Sequence, residues 1–145
     1  VIIATGGRLL MIPGTEKADV LLMDSRAAMT PTVLPDRLIV IGAGAIGVEF
    51  AYIYACLGTK VTVVEMLDQL LPQADHDISE ELRKAFRRLS IEVLVSTRLK
   101  DVEKKGDIVE ARLLQGDEEI TRQADRILVA AGVRPNTETI GCSSK

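Results

Sequence analysis

Three glycines and one carboxylate in the first half of the chain have the spacing of a nucleotide-binding turn. Gly42, Gly44 and Gly47 match the pattern Gly-x-Gly-x-x-Gly directly after an apolar run, and Glu65 lies 18 residues after Gly47. Such a turn lets backbone approach a pyrophosphate, and an acid at the end of the next strand accepts hydrogen bonds from ribose hydroxyls. The spacing therefore predicts a site for an adenosine-containing diphosphate.

The elements around this turn are those that a dinucleotide site requires. Residues 38–41 are all apolar, which predicts a strand buried on both faces, and residues 60–65 form a second, β-branched strand. Between them a helix is predicted from about Ala45 to Leu57, and its N-terminus offers unpaired N–H groups and about +0.5 of a charge to phosphates. Glu49 is the only charged residue of that helix. Because the helix is otherwise apolar nearly all round, we expect the helix to be covered on both sides.

The rest of the chain predicts further strands for the same sheet. A capping box at Asp77–Glu80 opens a second helix, and buried-type strands are predicted at residues 91–95 and 126–130. Between these strands, short extended pieces separated by Gly-Asp turns indicate an antiparallel meander. We therefore predict an α/β fold, a Rossmann-like parallel sheet with helices on its faces and an antiparallel β-meander in place of one crossover helix. The second helix has an apolar stripe of Ile78, Leu82, Phe86 and Leu89.

The first 35 residues differ from the remainder of the chain. Val1–Thr5 has the composition of a short buried strand, and Asp24 or Ser25 is placed to cap a short helix ending at Met29. Prolines at 31 and 35 indicate a linker. If this stretch belongs to another domain, we expect it to be loose in isolation or to pair with the sheet edge of a neighbouring chain.

A short internal sequence similarity suggests the domain order. Ile3–Arg8 resembles Val129–Arg134, since each is an apolar strand that ends in glycine and has an arginine two residues later. By analogy, residues 1–35 close an earlier nucleotide-binding domain and lead through a linker to a second one at residues 36–132. Residues 133–145 would then begin the return to the first domain.

Composition narrows the range of partners. The chain has 145 residues, 47% of them apolar and 27% charged, with a net charge of −3, so neither a nucleic-acid partner nor a membrane is predicted. Cys56 and Cys142 are 86 residues apart and form no close redox pair, which favours a reducing, cytoplasmic compartment. We expect Cys56 to be a small core residue and Cys142 to be exposed. His76, the only histidine, is expected in a surface loop, and no metal site is predicted.

Several motifs resemble the pyridine nucleotide–disulfide oxidoreductases, and within that family the dihydrolipoamide dehydrogenases. They are Gly42–Ala51, Val61–Glu65, Leu70–Pro72 and Val129–Thr137, while Ile3–Gly6 resembles the segment that closes the family's FAD domain. The resemblance implies a flavoprotein that passes electrons between a dithiol/disulfide substrate such as dihydrolipoamide, FAD and NAD. It also implies a homodimer in the full-length protein.

The resemblance assigns cofactor contacts by motif. It implies that the glycine-rich segment holds the pyrophosphate and nicotinamide side of NAD, and that Glu65 holds the adenosine ribose. It places Leu99 near the adenine and brings Gly132 close to the cofactor. In the complete protein, Thr5, Gly6 and Gly7 would contact FAD. The residues of the glycine-rich segment are Gly42, Ala43, Gly44, Ala45, Ile46, Gly47, Val48 and Glu49.

Two carboxylates bear on which cofactor such a site would bind and how the cofactor would lie. Glu65 repels a 2′-phosphate, and Met66, Leu67 and Asp68 supply no cation to accept one, so NAD is predicted over NADP. Glu49 has two interpretations. It lies near the nicotinamide and flavin, as the resemblance implies, or it is an acid stabilised by the helix dipole in the first turn.

No catalytic residue is predicted within these 145 residues. They contain neither the C-x-x-x-x-C redox pair of the family nor its His–Glu pair, so we expect this chain by itself to bind nucleotide without completing the reaction. Two alternatives stay open. One is another family member, such as an NADH oxidase, a mercuric reductase or a glutathione-reductase-like enzyme. The other is a non-catalytic NAD-binding module.

Overall fold

The computed structural model describes residues 2–10, 12–13, 15, 21–138 and 140–141. These residues form ten strands and three helices. The helices are α1 Ser25–Met29, α2 Ala45–Cys56 and α3 His76–Arg88. The strands are β1 Gly7–Leu9, β2 Leu22–Met23, β3 Arg37–Ile41, β4 Lys60–Val64, β5 Glu92–Leu94, β6 Thr97–Lys105, β7 Ile108–Gln115, β8 Glu118–Ala124, β9 Arg126–Val129 and β10 Val133–Pro135.

Five strands form a parallel sheet in the order β2-β9-β3-β4-β5. The chain moves outward from β3 through β4 to β5 and then returns with β9 on the other side of β3. The strand order therefore reverses beside β3, and open sheets of this kind bind ligands at the carboxyl ends of the strands at such a point. The predicted Rossmann-like parallel sheet is confirmed.

The sheet is buried on both faces because neighbouring side chains of a strand point to opposite sides. Leu38 and Val40 of β3 belong to a core that includes residues of α2 and α3. Ile39 and Ile41 belong to a second core, shared with the antiparallel sheet β6-β7-β8. Helices thus cover one face and the meander covers the other, which confirms the predicted meander.

Part of the N-terminal stretch completes the domain. β2 pairs with β9 at the edge of the parallel sheet. Leu21 is buried in the meander-side core, and Met23 and Ala28 are buried in the helix-side core. Asp24, one of the two residues predicted as the cap of α1, caps it by accepting a hydrogen bond from the Ala27 N–H. The expectation of a loose stretch is therefore wrong for residues 21–29, because their apolar side chains fill both cores.

The two segments with similar sequences pair with each other in the structure. β1 and β10 form an antiparallel ribbon in which Arg8 lies opposite Arg134. The strand predicted at Val1–Thr5 is wrong for its described residues, since residues 2–6 are not in a strand and Ile2 is 94% exposed. The pairing of β1 is intramolecular, so the ribbon does not need a neighbouring chain. The assignment of residues 1–35 to another domain stays a prediction.

The outer face of α2 was predicted wrongly. Its length is as expected, but Tyr52 and Ile53 are 53% and 47% exposed, so the helix is covered on one side only. Cys56 is exposed and is not a core residue. Tyr54 is buried, and its hydroxyl donates to the Ala28 carbonyl at 2.9 Å. Cys142 lies outside the described residues.

The start of α3 also differs from the prediction. The helix begins at His76 with Asp75 at the N-cap position, so the capping box predicted at Asp77–Glu80 is wrong. The Asp75 side chain makes no cap bond. His76 is consequently a helix residue, although it is exposed as expected. Ile78 is 55% exposed while Phe86 is buried, so only part of the predicted stripe faces the core. Within the described residues, none of the helices has the length and apolar character needed to cross a membrane.

Candidate functional site

An open cleft of about 700 Å³ lies where β3, β4 and β9 end. Five residues predicted from the sequence line it, and each comes from the segment after one of these strands. The segment after β4 forms one wall, and the segment after β9 contributes Ala130 and Ala131, which sequence reasoning missed. The five predicted residues in the cleft are Gly42, Gly44, Ala45, Glu65 and Gly132.

Each of the three glycines of the turn occupies its position for a different structural reason. Gly42 has a φ of +103°, and a Cβ there would lie 2.6 Å from the Ala130 carbonyl oxygen. A Cβ on Gly47 would lie 1.9 Å from the Gly42 carbonyl oxygen, so only glycine lets α2 pack this closely against the turn. A Cβ on Gly44 would meet nothing within 4 Å. Gly44 is therefore dispensable for packing and leaves room in the cleft for a ligand.

Glu65 reaches the cleft from the end of β4 and is 8% exposed. One carboxylate oxygen accepts a hydrogen bond from Ala43 N at 2.7 Å, and the other accepts from Leu67 N at 2.9 Å. A carboxylate has about four lone-pair sites, so both oxygens can still accept hydrogen bonds from a ribose. The acid thus lies where the sequence placed it, and it also binds the turn.

The N-terminus of α2 provides donors for an anion. Gly44 is its N-cap residue and has no side chain to cap the first turn, so the first N–H groups of this helix stay available to a ligand. The N–H of Ala43 is not available, because Glu65 accepts it. Of the predicted segment, Gly44 and Ala45 therefore lie at the cleft with donors to offer.

The wall formed by residues 66–74 is mainly apolar. Met66 and Leu67 are largely exposed in the cleft, and Leu71 and Pro72 continue the wall. Leu71 has a φ of +47° and donates its N–H to the Ala43 carbonyl at 2.8 Å. The described residues that line the cleft include no lysine, arginine or histidine. The Leu-Leu-Pro motif at 70–72 was the sequence signal for this wall.

Other predicted residues lie away from the cleft lining. Glu49 is exposed on α2, which begins at Ala45, so the glutamate lies in the second turn of the helix and not in the first. Leu99 is partly buried and packs against the meander-side core. Ile46 is 42% exposed, and Val48 is buried. The FAD-assigned residues Thr5, Gly6 and Gly7 lie in or beside the β1–β10 ribbon.

Groups with shifted pKa values, among the described residues, lie outside the cleft lining. A hydrogen bond from Arg122 lowers the pKa of Glu92, which also accepts from the Thr62 hydroxyl. Burial raises the pKa of Tyr54. In the described ranges, no group of three or more His, Cys, Asp or Glu residues could hold a metal ion. The cleft geometry is that of a binding site with a single acidic side chain.

Comparisons with known proteins identify a family and similar proteins for this chain. A family model described as pyridine nucleotide-disulphide oxidoreductase matches residues 1–144. Dihydrolipoyl dehydrogenase 3 of Haloarcula marismortui is 40% identical over 144 residues, which cover 96% of this chain and 30% of that protein. Dihydrolipoyl dehydrogenase of Rhizobium etli is 37% identical over 142 residues, with 97% and 30% covered. The chain thus spans about 30% of the length of these curated relatives.

A solved structure gives the same picture for the fold. The crystal structure of LpdA from Mycobacterium tuberculosis superimposes with a TM-score of 0.82 at 29% sequence identity. The match covers 94% of this chain and 29% of that chain. The five-stranded parallel sheet and the antiparallel meander are therefore shared with a larger protein.

Proposed function

Because this chain belongs to the pyridine nucleotide-disulphide oxidoreductase family, we propose that it is the NAD-binding part of an FAD-dependent enzyme similar to dihydrolipoyl dehydrogenase. In the full-length protein, electrons would pass between a dithiol/disulfide substrate such as dihydrolipoamide, FAD and NAD. When bound, FAD and NAD supply the redox chemistry, and the residues of this chain bind and orient the nucleotide. The proposal includes a homodimeric, cytoplasmic full-length enzyme without a nucleic-acid or membrane partner.

The arrangement of Gly44 and Glu65 in one cleft is the observation that carries the proposal. The Gly44 side of the cleft has space for a pyrophosphate next to the N-terminus of α2. Glu65 lies at the neighbouring strand end and has acceptor sites left for ribose hydroxyls. A dinucleotide needs both features at the carboxyl end of neighbouring strands, and Gly44 and Glu65 follow β3 and β4, which pair directly in parallel.

The charge of the cleft favours NAD over NADP. Its one acidic side chain, Glu65, would repel a 2′-phosphate. The wall residues Met66 and Leu67 offer no positive charge. We therefore expect this chain to bind NADH at least about tenfold more tightly than NADPH, a difference of about 1.4 kcal/mol.

Calorimetric titration of the 145-residue chain with NADH and with NADPH tests this function. Gly44→Ala is the informative variant, because its Cβ enters open space in the cleft. We expect the variant to unfold within about 1 kcal/mol of the wild type and to bind NADH at least about tenfold more weakly. Unchanged NADH affinity in this variant, or a preference for NADPH in the wild type, would contradict the proposal.

The full-length protein distinguishes the alternatives. A dihydrolipoyl dehydrogenase-like enzyme purified with FAD should reduce NAD⁺ with dihydrolipoamide as the electron donor. Another family member, such as an NADH oxidase, a mercuric reductase or a glutathione-reductase-like enzyme, should instead consume NADH with its own acceptor. A non-catalytic module should bind NADH and show none of these activities.

A further inference from the structure

The backbone of Ala43 is held by hydrogen bonds at both its N–H and its carbonyl group. Ala43 is 0% exposed and lies between Gly42 and Gly44 in the turn. Its N–H donates to a carboxylate oxygen of Glu65 at 2.7 Å, and its carbonyl accepts from Leu71 N at 2.8 Å. The conformation of the turn is thus fixed by groups more than 20 residues away in the sequence.

Glu65 is itself fixed by the surrounding backbone. Its N–H donates to the Leu94 carbonyl at 2.9 Å, and its carbonyl accepts from Thr97 N at 2.9 Å. Its second carboxylate oxygen accepts from Leu67 N at 2.9 Å. One side chain therefore joins the glycine turn to the first residues of the cleft wall, and the Ala43–Leu71 bond joins the turn to the far part of that wall.

The buried Glu65 carboxylate can serve the site in a second way, apart from contact with a ligand. Burying a charged group is unfavourable unless it is hydrogen-bonded, and hydrogen bonds from backbone N–H groups to a carboxylate are about twice as strong as neutral ones. Here both bonds are made within the protein alone. Ordering a binding site before the ligand arrives removes part of the entropic cost of binding.

We propose that Glu65 is a positioning residue that holds the Ala43 peptide, and with it the glycine turn and the wall at 66–71, in the nucleotide-binding arrangement before the nucleotide binds. This role is additional to any contact with the ribose, and it rests on the proposed function of the cleft. Glu65→Gln removes the second acceptor oxygen while the side-chain volume is kept. The variant cannot accept from Ala43 N and Leu67 N at the same time.

Amide hydrogen exchange of the ligand-free chain tests directly whether Glu65 holds the glycine turn. By NMR, the Ala43 and Leu67 amides should both be protected in the wild type, and at least one of them should exchange much faster in Glu65→Gln. Glu92→Gln is the matched control, because Glu92 is a part-buried carboxylate of the adjacent strand that lies outside the cleft lining and binds Arg122. Its Ala43 amide should stay protected. Rapid exchange of the Ala43 amide in the wild type, which needs no variant, would overturn the proposal.

Affinities for ADP and 2′,3′-dideoxy-ADP separate positioning from ribose contact. They are measured below the unfolding transition of every variant, so that loss of global stability does not contribute. A carboxylate that acts only on the ribose would leave the binding of dideoxy-ADP unchanged in Glu65→Gln, and that result would overturn the proposal. We expect Glu65→Gln to weaken dideoxy-ADP binding by about tenfold, the effect of one charge-assisted hydrogen bond. Glu92→Gln should bind both ligands like the wild type.

A failure of the proposed function gives a different result. If the wild-type chain binds neither ADP nor NADH, the nucleotide assignment is wrong, and the exchange data on the ligand-free chain still decide whether Glu65 holds the turn. Protection at Ala43 or Leu67 that is lost only in Glu65→Gln then supports the positioning role of Glu65. Unchanged protection of both amides in both glutamine variants refutes it.

Discussion

The cleft and the β1–β10 ribbon are both held by charged side chains, but in opposite environments. In the cleft, the buried Glu65 binds two backbone N–H groups. In the ribbon, Arg8 binds Asn136 and Glu138, and both Arg8 and Glu138 are exposed. Interactions of this kind are strong where water is excluded and weak where it is not. The bonds that hold the cleft are therefore buried and strong, whereas the side-chain contacts of the ribbon are exposed and weak.

Backbone packing shows the same contrast. Beside the cleft, where α2 packs against the glycine turn, Gly47 has no room for a methyl group. In the ribbon, each residue of β10 is exposed, and the connection to the domain includes the hydrogen bond from Leu10 N to the Gly132 carbonyl at 3.1 Å. Substitutions in the cleft should accordingly change the whole domain, and substitutions in the ribbon should act locally. Three substitutions can test that difference.

Gly47→Ala should have the largest effect. The new Cβ would lie 1.9 Å from the Gly42 carbonyl oxygen, so α2 or the turn must shift, at an expected cost of about 3 kcal/mol. Urea unfolding measures the change. Gly44→Ala is the control, since the same methyl group meets nothing there. Equal unfolding free energies for the two variants would show that the turn is not closely packed in solution.

Glu65→Arg should have an intermediate effect. It removes the repulsion of a 2′-phosphate and also breaks both bonds to the turn. We expect weaker binding of NADH and NADPH, with the NADH/NADPH affinity ratio falling by about tenfold. Glu103→Arg makes the same charge change at an exposed position of β6, outside the cleft lining. A similar shift of the ratio in Glu103→Arg would show that net charge, and not the position of Glu65, sets the preference.

Arg8→Gln should have the smallest effect. In the wild type, the hydrogen bond from Arg8 lowers the pKa of Glu138 from 4.5 to about 2. Because the folded pKa is depressed, the ion pair stabilises the ribbon above about pH 4.5 and is lost as the pH falls toward 2. Side-chain carboxyl NMR should show this pKa rising toward 4.5 in the variant, with unchanged unfolding by urea. A clear loss of global stability at pH 7 would mean that the ribbon is integral to the domain.

The sequence predicted most of the fold because its signals are local. The apolar run at 38–41, the turn at 42–47 and the β-branched run ending at Glu65 each determine an element within a few residues. The meander was recognisable from its short alternating strands and Gly-Asp turns. The helix ends were less certain, and α3 begins at His76, one residue before the predicted capping box at Asp77–Glu80.

The candidate site was predicted in composition but not in its internal bonding. Gly42, Gly44 and Glu65 could be placed at one sheet edge, since parallel strands end together. Ala130 and Ala131 could not, because their place in the cleft depends on β9 returning beside β3. The motif at Val129–Thr137 includes both alanines, but it indicated only Gly132 as a cofactor contact.

The sequence by itself determined the elements and the order in which they occur, because periodicity and turn chemistry act between near neighbours. The tertiary structure alone decided which distant groups meet. Leu22–Met23 joins the sheet, Cys56 faces outward, and the Glu65 carboxylate is taken up by the N–H groups of Ala43 and Leu67. A carboxylate selects its partners by distance and direction in space, and these exist only once β3, β4 and the cleft wall have packed together.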